Sequence, residues 1–135
     1  VKAVADRIAE ALAEWLHEKV RRDDWGYDTT QLSNMELIAE HYKGIRPAPG
    51  YPACPDHYEK IGIFNLLSAT ENIGVELTES LAMFPASSVS GWYFAHPQAK
   101  YFGITSILND QFLSVCERRG INPLSHEKWF PFLKK

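Results

Sequence analysis

The chain has 135 residues, 45% apolar and 13% aromatic, enough for one domain with a small but genuine core. Its net charge of −3 and its short basic pairs, Arg21-Arg22, Arg118-Arg119 and Lys134-Lys135, argue against a nucleic-acid partner, which needs clustered cations. No apolar run approaches the length of a membrane span. Two cysteines with no signal-peptide pattern point to the cytoplasm rather than to a disulfide framework.

The sequence enters a helical pattern at Val1 itself, as expected of a fragment. Val1, Val4, Ala5, Ile8, Leu12, Trp15, Leu16 and Val20 recur at helical spacing, with Asp6, Arg7, Glu10, Glu14, His17 and Arg21 on the opposite side. This predicts an amphipathic helix over residues 1–22. Its carboxylates read most simply as a solvated face, or alternatively as a row that meets a partner module. After the polar connector RDDWGYDTTQ, Ser33 with Glu36 forms a capping-box pattern for a helix that should end at Gly44.

The stretch GIRPAPGYPACPDH follows, with four of the chain's eight prolines. Proline fixes φ and pushes the preceding residue toward extended geometry, so residues 45–52 should form a stiff ribbon whose carbonyls no ladder pairs. Asp56 with Glu59 predicts a third helix start, and Ile61, Ile63, Phe64, Leu66 and Leu67 its apolar face, to about Ser68. Residues 75–107 change to β character in ELTESLAMFP, SVSGWYFAHP and KYFGITSIL, which predicts an antiparallel meander. Asn109 or Asp110 can cap a helix through Glu117 that Gly120 ends, and a last turn from Ser125 should bury Trp129, Phe130 and Phe132. The expected class is α+β, an antiparallel meander packed with several helices in a single domain over residues 1–135.

Arg46 and Tyr51 on the ribbon, Tyr101 after the SGWYF segment, and the carboxylates of Glu10 and Glu40 stand out chemically. An arginine on a stiff backbone either forks onto a ligand carboxylate or pairs with a local acid. Cys54 and His57 make half a metal site with no second pair at matching spacing, so no metal is expected. Cys54 has no evident base, and His96 before Pro97 reads as a turn residue.

RPAPGYPACPDH, preceded by EHYKGI and followed by LTESLAMFPASSVSGWYFAHPQAKYFGI, resembles the activation domain of cobalamin-dependent methionine synthase, from about Ala5 through Arg119. The Arg-x-x-x-Gly-Tyr element falls on Arg46, Gly50 and Tyr51. The resemblance implies that Arg46 holds the methionyl carboxylate of S-adenosylmethionine, and that the backbone at Ala48 and the ring of Tyr51 seat its adenosyl part. It places the family's tyrosine on Tyr101 with Phe102 beside it, and sets Glu10 and Glu40 near the cofactor or its approach. Tyr58, Phe84 and Ala86 depart from the family's usual Thr, Trp and Gly. The family's domain is also longer on the N-terminal side, so the chain corresponds to a C-terminal portion.

The implied function is to position S-adenosylmethionine for reductive methylation of cob(II)alamin, within a methyltransferase but with no catalytic residue in this chain. Cobalamin would be held by a neighbouring corrinoid-binding module, and electrons would come from a flavodoxin-type donor. The alternative is an interaction module that docks on a corrinoid protein and binds no S-adenosylmethionine itself.

Overall fold

The computed structural model describes residues 1–130 and 132–134. Helix α1, Lys2–Lys19, continues into a wider π-helical turn, Val20–Asp24, so the first helical stretch runs slightly past its expected end. The face it turns to the domain is the polar one. His17 and Arg21 are fully buried and the Asp6 carboxylate accepts from the Ser87 hydroxyl at 2.6 Å, whereas Val4, Ile8, Leu12 and Trp15 are more than half exposed. The expected solvated carboxylate face is thus in part an interior one.

The Ser33–Glu36 capping box is present, with the Ser33 amide donating to Glu36 at 2.8 Å. Helix α2, Asn34–Ile38, stops well short of Gly44, because Glu40 takes a left-handed φ of 55° and the chain turns to bury Tyr42. Gly44 is itself left-handed, at φ +82°, and a Cβ there would strike the Phe94 carbonyl oxygen.

The proline ribbon is paired, contrary to expectation. The Phe94 and Ile45 amides donate to each other's carbonyls at 3.0 and 3.1 Å, and the Trp92 amide donates to the Pro47 carbonyl at 3.0 Å. The ribbon and SGWYF therefore form a single structural unit. Beyond Pro47 the chain curls, with the Tyr51 amide on the Ala48 carbonyl at 3.2 Å and the Gly50 amide on the Cys54 carbonyl at 2.7 Å.

Helix α3, Glu59–Leu67, buries Ile63 and Phe64 but leaves Leu66 and Leu67 exposed, so its expected apolar face is only partly used. Ser68 turns left-handed and ends the helix where expected, and a short further helix not anticipated from the sequence, α4, Ala69–Ile73, follows. The domain is α+β, but the meander shrinks to one antiparallel ladder, β1 (Glu76–Leu77) with β2 (Met83–Phe84). The two later segments run extended: one pairs with the ribbon, and Ile107 of the other bridges in parallel to Leu133. Helix α5, Asn109–Arg119, ends at left-handed Gly120 and is followed by α6, Pro123–His126, capped by Asn122. Ile107, Phe112, Cys116 and Phe130 form the core here, with Phe132 and Leu133 packed against it.

Asp56 anchors this end. It is buried and accepts from the Tyr58 amide at 2.9 Å, from Arg119, and from His126 Nε2 at 3.1 Å, while Arg119 also pairs with Glu59. Its partners are the N-cap of α3 and the last residues of α5 and α6, which ties the end of the ribbon to the C-terminal helices.

Candidate binding site

Glu10, Glu14, His17 and Arg21 recur at steps of three and four and so share one stripe of α1. The ribbon crosses this stripe at Arg46, whose guanidinium donates to Glu14 Oε2 at 2.6 Å and to His17 Nδ1 at 3.5 Å. Of the two sequence readings of Arg46, pairing with an acid is therefore realised within the protein, although the acid lies 32 positions away.

His17 is fixed in tautomer and orientation. An arginine can only donate, so Nδ1 accepts and the proton sits on Nε2, which donates to the Tyr27 hydroxyl at 3.1 Å. The ring stacks on Tyr93 at 5.1 Å between centroids and meets the edge of Tyr42 at 4.8 Å. Burial, with the Arg21 and Arg46 charges behind it, lowers its pKa to about 4 against a weaker opposing pull from Glu14, so it stays neutral. Burial also pushes the Tyr42 phenol up to about 12. Arg21 lies 4.3 Å over the Tyr42 ring, and none of its guanidinium nitrogens has a hydrogen-bond partner among the described residues.

The Tyr101 hydroxyl accepts the backbone N–H of Arg46 at 2.9 Å. Accepting that bond leaves the hydroxyl with its own proton still to donate. Burial raises the Tyr101 pKa despite the Arg46 N–H and guanidinium, so the phenol is protonated at neutral pH. Burial, the largest single influence, opposes the Arg46 charge, but the bond to Glu14 together with the Glu14 charge, Tyr42 and Tyr101 outweighs it, and the pKa lies above its ordinary value. A recess of about 310 Å³ opens beside this junction, lined by Glu40, Tyr42, Ile45, Lys100 and Tyr101.

Of the residues singled out from sequence, Arg46, Tyr101 and Glu40 converge here. Ala48, Gly50 and Tyr51 lie further along the curled ribbon, with Tyr51 64% exposed. Glu10 is exposed on α1, one helical turn before Glu14. Phe102 is 57% exposed and Tyr101 41%, and neither lies in a strand, so the expected split of one to ligand and one to core does not arise from a ladder. Glu14 and His17 were read only as members of the polar face of the first helix, and Tyr27, Tyr42 and Tyr93 were not singled out; the 10-14-17-21 spacing was the available signal.

A second recess, about 890 Å³ and shallow, lies between Cys54, Asp56, Ile107, Asp110 and Arg118. Burial, aided by Asp56, raises the Cys54 thiol pKa, which does not suit a nucleophile. His96 sits in a turn, with the Gln98 amide on its Nδ1 at 3.1 Å. No helix among the described residues is long and apolar enough to cross a membrane.

The profile of a family described as vitamin B12 dependent methionine synthase, activation domain, matches residues 1–120. Among solved structures, the MetH reactivation domain bound to AdoHcy is similar at a TM-score of 0.95 and 53% sequence identity. That match covers 99% of this chain and 42% of the other, so this chain spans less than half the length of that structure.

Proposed function

This chain belongs to the family of activation domains of vitamin B12-dependent methionine synthases, and from that premise we propose that it binds S-adenosylmethionine at the Arg46–Tyr101 junction. It would thereby position the methyl donor for reductive methylation of cob(II)alamin. The 135 residues act as a single domain, the C-terminal portion of the activation domain.

One observation carries the proposal. Tyr101, in the wall of the recess, accepts the Arg46 backbone N–H through its hydroxyl, and the Arg46 guanidinium is held by Glu14 and His17 while its side chain stays one-quarter exposed. Arginine offers five N–H donors, of which Glu14 and His17 take two, so a planar carboxylate can still be received. The donor set suits the amino-acid end of such a ligand, and the exposed Tyr51 ring further along the ribbon suits stacking on an adenine. Glu40 at the recess and Glu10 near the ligand's approach supply negative charge toward a sulfonium. The backbone at Ala48 and Gly50, with Phe102 beside Tyr101, completes the proposed contacts.

S-adenosylmethionine brings a methyl group already activated by its sulfonium, so the chain needs no general base. Its residues bind and align, which is the positional part of catalysis. In the whole enzyme a corrinoid-binding module would hold cobalamin, a flavodoxin-type protein would deliver the electron, and the compartment would be the cytoplasm.

Calorimetric titration with S-adenosylmethionine tests the proposal. Arg46→Lys should weaken binding by about tenfold or more, because a point charge cannot reproduce the planar fork. Unchanged affinity with an intact fold would remove Arg46 from the site. The alternative, a module that docks on a corrinoid protein without binding S-adenosylmethionine, draws on the exposed apolar stripe of α1. It requires a flat titration together with retained association.

A further inference from the structure

We propose that the Glu14 carboxylate is a positioning group for Arg46, holding the guanidinium in the orientation that receives a ligand's carboxylate; the inference rests on the proposed role of Arg46. Arginine is long and rotamer-rich, and an unheld guanidinium would lose much of its freedom on capturing a ligand. Here it is held beforehand. Glu14 takes one terminal nitrogen at 2.6 Å and His17 faces the other at 3.5 Å. The restraint extends below them, because His17 is in turn bonded to the Tyr27 hydroxyl, stacked on Tyr93 and in edge contact with Tyr42.

Glu14 is itself a carboxylate, and its charge would oppose a second one. Two features set it behind the guanidinium rather than in the ligand's place. It engages Arg46 through one oxygen only, and its other oxygen is shielded from solvent with no hydrogen-bond partner among the described residues. A placeholder for an incoming carboxylate would be solvent-facing and would fork both oxygens onto the guanidinium. Glu14 also stands on a regular helix, one turn before His17, so the pair forms a fixed bracket for a ribbon that has little secondary structure of its own.

The test compares two ligands in the longest native polypeptide that carries these residues: S-adenosylhomocysteine, which has the amino-acid carboxylate, and 5′-methylthioadenosine, which lacks it. Glu14→Ala should weaken S-adenosylhomocysteine about fivefold or more and leave 5′-methylthioadenosine within about twofold. Glu14→Gln, which keeps an acceptor oxygen without the charge, should restore most of the loss. Equal losses for both ligands would make Glu14 merely structural, and tighter binding of S-adenosylhomocysteine by Glu14→Ala would make it a competitor; either result overturns the proposal, as does a Gln variant no better than Ala. Equal affinity of the wild-type protein for the two ligands would overturn the role of Arg46 itself, and this inference with it, before any variant is made.

Discussion

The backbone N–H of Arg46 donates to the hydroxyl of Tyr101 at 2.9 Å, across 55 positions of sequence. One bond thus places the ribbon's only arginine beside a phenol that keeps its own proton to donate. Tyr101→Phe keeps the ring and deletes this link. We expect the fold to persist by circular dichroism while affinity for S-adenosylmethionine falls about five- to tenfold, the equivalent of roughly 1 kcal/mol. Unchanged affinity would assign the hydroxyl to the protein backbone alone.

His17 predicts an acid-side dependence of stability. Its folded pKa, about 4, lies below the ordinary 6.5, so between these values the unfolded state binds the extra proton. The contribution is therefore complete above pH 6.5, declines as pH falls toward 4, and amounts to something on the order of 3 kcal/mol. The charges facing this ring are Arg21, Arg46 and Glu14. Denaturant unfolding of wild type and His17→Asn should show a stability gap that narrows by about that amount over this range. A constant gap would mean that His17 protonates as easily in the fold as outside it.

How far the sequence exposed this arrangement varies by element. Capping at Ser33 and termination at Gly120 were legible because each depends on residues within one turn. The amphipathicity of α1 was legible too, but not which side faces the domain. That is decided by Arg46 and Ser87, which reach the helix from distant segments. The meander is smaller than expected for a related reason: aromatic and β-branched residues mark extended backbone, but whether it pairs with its neighbour or with the ribbon depends on a long-range partner. Family resemblance led to Arg46 and Tyr101. It offered nothing on Glu14 or His17, whose role is visible only once α1 lies under the ribbon.

Gly50 predicts a coupled pair. It sits at φ +95°, and a Cβ built there would run into the His57 ring. Gly50→Ala should destabilise by roughly 2–3 kcal/mol, part from the left-handed backbone and part from the imidazole. In a His57→Ala background only the backbone part, about 1–2 kcal/mol, should remain. Additive losses in the double-mutant cycle would show that the ring moves aside without cost.

Asp56 predicts the response of the C-terminal bundle. Asp56→Ala strips Arg119 and His126 of a shared, buried acceptor and should lower stability by roughly 2–4 kcal/mol. The junction at Arg46 uses none of these groups, so binding measured well below the melting temperature should change little. A comparable loss of affinity would tie the two ends of the ribbon together energetically.

The most direct measurement for the central claim is a crystal structure of this chain, or of the longer polypeptide that carries it, with S-adenosylhomocysteine bound. The account predicts the ligand's carboxylate within hydrogen-bonding distance of the Arg46 guanidinium, the Tyr101 hydroxyl on the same end, and Glu14 still bonded to Arg46 from behind. A ligand lodged instead in the recess beside Arg118, or an Arg46 that faces Glu14 and His17 alone with the ligand out of reach, would contradict it.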